Sequence, residues 1–194
     1  MVDNWKQRVA QAFAESVELH RAVASGDLSP VVEAAKLIVA ALTSGGKLLV
    51  CGNGGSASDA QHVAAELVGR FERQRQALPA LALTVDTSVL TSIANDFSYE
   101  EVFARQLEAV GGPHDVLLAI STSGRSANVL RAIERAKALG LKSIALTAND
   151  GGVIGSLVDV HINVPSRATA RAQEVHRTIL HAICELVEAA VAGA

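Results

Sequence analysis

Aromatic residues are scarce: one Trp, one Tyr and four Phe make up 3% of 194 positions. So few rings exclude the stacking platforms that single-stranded nucleic acids need. Basic residues show no excess either, with 17 Lys and Arg against 20 Asp and Glu. The net charge of −3 argues against a dominant nucleic-acid role. Two cysteines, Cys51 and Cys184, are too few for a disulfide framework and fit a reducing, cytoplasmic setting. Each sits in an apolar stretch and reads as a small core residue. No apolar run reaches the roughly 18 residues of a membrane span. The start, Met-Val-Asp-Asn-Trp-Lys, is not a signal peptide. The sequence shows no linker, repeat or low-complexity stretch, so one domain is expected over 1–194, with an N-terminal helical segment at 1–45.

Hydrophobic residues, by contrast, are plentiful at 49%, enough to fold without a metal or disulfide staple. Residues 4–24 carry spaced Val, Ala, Phe and Leu and predict an amphipathic helix. Ser29-Pro30 reads as an N-cap and first position of a second helix, ending near Gly45-Gly46. Beyond it, strands are predicted at 47–51, 80–85, 115–120, 142–147 and 158–164, with helical segments between them. Ser98 and Glu101 read as a capping box. Such alternation predicts an α/β fold with a five-stranded parallel sheet flanked by helices. The N-terminal helices and an apolar last helix, near 168–192, exceed what one sheet covers. Subunit interfaces are their expected outlet, with burial in the monomer as the alternative.

Ligands of open parallel sheets bind beyond the carboxyl ends of strands. Two such ends carry small polar residues here. The first is Asn53-Gly54-Gly55-Ser56, after Leu48-Leu49-Val50-Cys51-Gly52. Glycine lets backbone approach a ligand, Ser56 can cap a helix, and a helix start offers N–H groups to an anion. The second is Ser121-Thr122-Ser123-Gly124-Arg125-Ser126, after an apolar run from Val116 to Ile120. Its hydroxyls suit a phosphate monoester, although Ser and Thr clusters also serve simply as helix caps. Gly52-x-Gly54-x-x-Ala57 also fits a dinucleotide fingerprint. That motif wants an acidic residue about 20 positions on, and the nearest, Asp86, lies well beyond. Neither loop is followed by a Walker lysine, so sugar-phosphate binding ranks above nucleotide binding.

His62 and Glu66 share a helix face at i and i+4, as a metal ligand and base would, or as a solvated surface pair would. The last helix supplies candidate partners in Gln173, Glu174, His176 and His181. Gln173 and His181 stand about 12 Å apart along a helix, so spacing alone does not bring them to one point.

Taken together, Cys51-Gly52-Asn53-Gly54-Gly55-Ser56, Asp59-Ala60-Gln61-His62, Glu66, Ala94-Asn95-Asp96, Ser121-Thr122-Ser123-Gly124-x-Ser126 and Gln173-Glu174-x-His176 with His181 resemble the phosphoheptose isomerases of the sugar-isomerase (SIS) domain superfamily. The likeness runs from about residue 30 to 190. It implies a zinc ion per subunit, held by His62, Glu66, Gln173 and His181. It implies Glu66 and His181 as the acid–base pair. It implies substrate contacts from Asn53, Gly54, Gly55, Ser56, Glu66, Asn95, Asp96, Ser121, Thr122, Ser123, Ser126 and Gln173; Arg70 is a weaker candidate. The reaction implied converts sedoheptulose 7-phosphate to D-glycero-D-manno-heptose 7-phosphate through an ene-diol, in the cytoplasm, as the first step toward nucleotide-activated heptose for lipopolysaccharide. A homotetramer is implied, with sites at subunit boundaries and neither a nucleic-acid nor a membrane partner. The rival expectation is a non-catalytic SIS protein that binds a replication initiator or a sugar phosphate. Such relatives lack the acid–base residues that stand here at Glu66 and His181. Departures from the family pattern fall at Gln76-Ala77-Leu78-Pro79 and Ala172, outside its motifs.

Overall fold

Val116–Ser121 is buried at every position and forms β3, the middle strand of the sheet. It pairs in parallel with β1 (Leu48–Gly52) on one side and β4 (Lys142–Ala148) on the other. Beyond these lie β2 (Ala80–Ala82) and β5 (Val160–Val164), giving the order β2-β1-β3-β4-β5. Central strands covered on both faces read as continuous apolar runs, and that explains why these were legible. The computed structural model describes residues 4–192, so the outermost ends of the 1–194 span lie outside the described residues.

Helices cover both faces. α1 (Trp5–Ala24), α2 (Ser29–Thr43), α3 (Gly55–Val68) and α7 (Thr169–Ala192) lie on one side, where Ile38, Leu67, Leu118 and Leu180 share a core. On the other side lie α4 (Thr87–Asp96), α5 (Ala104–Val110) and α6 (Ala127–Ala138), around Leu49, Phe103, Leu117 and Ile133. Strand order reverses between β1 and β3, where Gly52 is in register with Ile120. A crevice at the carboxyl ends of these two strands is the place such a sheet offers a ligand.

Several sequence expectations are corrected. The second strand stops at Ala82 rather than 85. Leu83 still donates to the Val50 carbonyl, but the Asp86 carboxylate then accepts from the Val89 N–H and starts α4. That cap also gives Asp86 a local role in place of a ribose contact. Ser29 is the first residue of α2 rather than its N-cap, because Asp27 accepts both its N–H and its hydroxyl. Ser98 precedes only a single 3₁₀ turn, Tyr99–Glu101, without capping it. Ser56 lies inside the first turn of α3; the cap position belongs to Gly54, whose φ of 56° suits glycine. Both cysteines are buried, as expected, and burial pushes each thiol up to about 12.

The end helices divide the two expected outcomes. α7 places Val175, Ile179, Leu180, Ile183 and Val187 in the core of its own chain. α1 has no fully buried residue; Leu19 and Val23 pack partly buried against the core, while Trp5, Val9, Phe13 and Val17 form an exposed stripe at four-residue spacing. It is tied to α7 by His20 with the Thr178 hydroxyl at 2.9 Å, and by Arg171 donating to the Ala12 carbonyl.

Candidate active site

The first glycine-rich turn leaves β1, reverses at Gly54 and enters α3. Gly52 is obligatory there, since a Cβ would stand 2.8 Å from that of Ser56 and 2.9 Å from the Ile120 carbonyl oxygen. Asn53 is held by partners that its local sequence does not reveal. Its carboxamide exchanges two hydrogen bonds with that of Asn128, at 2.8 and 2.9 Å, and accepts one from the Tyr99 hydroxyl at 3.0 Å. Asn128 is buried on α6, just past the second loop, so this pair laces the two loops together.

In the second loop, Ser121 Oγ lies 3.1 Å from Ser126 Oγ and 3.4 Å from Ser123 Oγ. Ser126 occupies the N-cap position of α6, yet its hydroxyl makes no capping bond. The cluster is therefore not accounted for by capping. Its hydroxyls converge at the open amino end of a twelve-residue helix, where an oxyanion is stabilised. Gly124, at φ 60°, lies against Gly151 and Gly152 so tightly that no side chain fits. Arg125 is spent on a two-pronged contact with Asp150, at 2.9 and 2.6 Å, and the guanidinium holds that carboxyl down at about 2.

α3 and α7 bring the third group of residues together. His62 Nε2 lies 2.6 Å from His181 Nε2 and 3.4 Å from Glu66 Oε1. The donor atoms of His62, Glu66 and His181 all fall within 4.8 Å of one another. Partial burial, then the nearby Arg177 cation, push the His62 imidazole below its ordinary value, with Glu66 opposing in part. Its neutral form is thus favoured, leaving a lone pair free. Two imidazole nitrogens and a carboxylate oxygen so gathered could hold a metal ion, and they are donor types that zinc accepts. Among the described residues, neither Glu66 nor His62 has another side-chain hydrogen bond to compete for those atoms.

The remaining candidates sort by geometry. The Gln173 carboxamide lies over Gly55, where a Cβ would meet its Nε2 at 2.4 Å. His176 points into the core and is fully buried, with Nε2 donating to the Thr147 carbonyl at 2.9 Å. Glu174 pairs with Arg171 at 3.0 Å. Of the His and Glu candidates on α7, His181 alone joins His62 and Glu66 in the cluster, and Gln173 flanks the first loop. Asn95 and Asp96 stay exposed at the end of α4 and bond to each other at 2.8 Å; they have no hydrogen bond to either loop among the described residues. Arg70 is exposed and donates weakly to the Glu72 carbonyl. Thr122 is half-buried beside Ser121.

The sequence places the chain among known proteins. Residues 12–148 match the family model described as SIS domain. A phosphoheptose isomerase of Aromatoleum aromaticum is 49% identical over 189 residues, covering 96% of each chain. One of Chromohalobacter salexigens is 50% identical over 194 residues, covering 98% of each. The solved phosphoheptose isomerase of Neisseria gonorrhoeae superposes with a TM-score of 0.90 at 45% identity, over 95% of this chain and 98% of that one. With the two serine- and glycine-bearing loops and the His/Glu/His cluster in place, the chain belongs to the SIS domain family and, within it, to the phosphoheptose isomerases.

Proposed function

We propose that this enzyme interconverts sedoheptulose 7-phosphate and D-glycero-D-manno-heptose 7-phosphate. The observation that carries the reading is the meeting of Glu66, His62 and His181 beside two phosphate-type loops. Ketose-to-aldose conversion moves a proton between C1 and C2 and needs a base on carbon and an acid–base group on oxygen. Glu66 takes the C1 proton and returns it at C2. His181 moves the proton between the two oxygens. Ser121, Thr122, Ser123 and Ser126 bind the phosphate. Asn53, fixed by Asn128 and Tyr99, together with Gly54, Gly55, Ser56, Asn95, Asp96 and Gln173, orients the sugar chain. His62, Glu66, Gln173 and His181 would hold one Zn²⁺ per subunit, which when bound polarises the carbonyl and stabilises ene-diolate charge.

The exposed Trp5–Val17 stripe supports a homotetramer, because an apolar helix face of that length is rarely left in water. None of the described helices is long and apolar enough to cross a membrane, in keeping with a cytoplasmic enzyme that starts a route to nucleotide-activated heptose for lipopolysaccharide. A non-catalytic role is disfavoured by family membership and by the intact Glu66 and His181. The test is incubation with sedoheptulose 7-phosphate, with and without added Zn²⁺, followed by product identification. Absence of the aldose product in both arms would refute the reading.

A further inference from the structure

α3 and α7 run side by side in one direction and share a register. Gln173 meets Gly55 at their starts, Arg177 meets Asp59 one turn on, and His181 meets His62 further along. After Val68 the chain turns away, and a buried pair then takes over the contact. Arg75, with only 4% of its side chain exposed, turns back onto the end of α3. Its Nη2 donates to the Glu66 carbonyl at 2.8 Å, and its Nη1 donates to the carbonyls of Leu67 at 2.8 Å and Gln76 at 2.9 Å. Those of Glu66 and Leu67 belong to the last turn of α3, a helix C-terminus where a cation is favoured.

The same guanidinium faces Glu188 of α7, with Nε 3.0 Å from Oε1 in an ionic rather than aligned contact. Glu188 is 2% exposed and accepts the N–H groups of Phe71, Glu72 and Arg73 at 3.0, 2.8 and 2.8 Å. Burial pushes its carboxyl up, but these three donors and Arg75 outweigh it and keep the group ionised. The turn so held presses the Phe71 ring against His181, with centroids 5.6 Å apart and planes at 42°. One pair therefore touches both halves of the acid–base arrangement. It reaches Glu66 through that residue's own carbonyl, and His181 through Phe71.

We propose that Arg75 and Glu188 are positioning residues for proton transfer, fixing the last turn of α3 and the tilt of His181 so that Glu66 and His181 keep their separation. The proposal rests on the acid–base roles given to Glu66 and His181. A buried ion pair is poor value for stability alone, since apolar replacements often serve as well. Its worth here is geometric, because a misplacement of about 1 Å can cost on the order of 10²-fold in rate.

The test compares Glu188→Gln, Arg75→Lys and Phe71→Leu with the parent and with Glu66→Gln. It reads kcat, KM for sedoheptulose 7-phosphate, solvent deuterium exchange at C1, bound zinc and the urea midpoint. The first two should lose on the order of 10–100-fold in kcat, and Phe71→Leu about 5–10-fold. KM should stay within about twofold because the serine loop is untouched, and C1 exchange should fall with kcat. Adding Phe71→Leu to Glu66→Gln should cost no further exchange. Parental kcat and exchange in Phe71→Leu and in every folded variant of the pair would overturn the proposal, whatever the urea midpoints. Phe71→Leu decides the matter if neither pair variant folds. A loss that excess Zn²⁺ fully restores assigns the pair to metal retention and also overturns it. If Glu66→Gln itself turns over like the parent, the acid–base reading fails and the proposal with it; if Glu66→Gln is impaired while the clamp variants are not, only the clamp falls.

Discussion

His62 Nε2 and His181 Nε2 lie 2.6 Å apart although 119 positions separate them in the chain. Partial burial and the Arg177 cation push the His62 imidazole below its ordinary value. Glu66, 3.4 Å from His62, is the one anion in the cluster. Two imidazole nitrogens and a carboxylate oxygen gathered within 4.8 Å of one another suit a divalent cation.

The purified protein should accordingly hold about one zinc per chain by elemental analysis, with a coordination position left open for substrate. Dialysis against a strong chelator should abolish turnover and lower the melting temperature, and Zn²⁺ should restore both. His62→Ala should bind zinc at least about tenfold more weakly. Full retention of zinc by His62→Ala would sink the assignment.

Glu66→Gln keeps shape and polarity but cannot accept a proton. Turnover and C1 deuterium exchange should both fall by about 10²–10⁴-fold, with binding of sedoheptulose 7-phosphate retained. His181→Gln should act similarly, with some loss of zinc. Parental exchange in Glu66→Gln would show that another group is the base.

Ser121→Ala and Ser126→Ala should raise KM with little change in kcat, by about 1–2 kcal/mol per lost hydrogen bond. Their hydroxyls are 3.1 Å apart, so they act on one oxyanion and the double variant should deviate from additivity. Unchanged KM in all three would move the phosphate elsewhere.

Sedimentation at micromolar concentration should give a species about four times the 20.1 kDa chain mass. Phe13→Glu, at a position 70% exposed in the isolated chain, should shift it to smaller species without unfolding it. A monomer with full activity would exclude sites shared between subunits.

Stability should fall below neutral pH through His176. Its ring is fully buried, and burial pushes it below the ordinary value of about 6.5, although the Thr147 carbonyl and Asp59 pull the other way. The unfolded chain therefore takes up the proton first. Stability is intact above about pH 6.5 and is lost as pH drops further. Half-buried His161 is shifted in the same direction by the same cause. Urea unfolding of chelator-treated protein should show this slope, and His176→Gln should flatten it. An unaltered slope in the variant would remove His176 as the source.

The five strands and both loops were legible because they depend on local order. An apolar run such as Val116–Ile120 is buried on both faces wherever it lies in the sheet, and a glycine-rich stretch after it can only be a turn. The resemblance carried by these motifs also brought Glu66 and His181 into one site. By spacing alone, however, Gln173, Glu174, His176 and His181 were equal candidates. Only the shared register of α3 with α7 decided among them, turning His176 into the core and His181 onto His62. The caps expected at Ser29, Ser56 and Ser98 did not form. Asp27 takes the Ser29 N–H and hydroxyl, Gly54 takes the cap position of α3, and Ser98 makes no capping bond. The tie of Asn53 to Asn128, and the pairing of Arg75 with Glu188, join residues far apart in the chain. What the sequence determined by itself was which segments form strand, turn and helix, since those choices rest on periodicity and backbone freedom. Which polar side chains meet was decided by tertiary structure, because a buried charge or amide takes whichever partner the packing of two distant helices delivers.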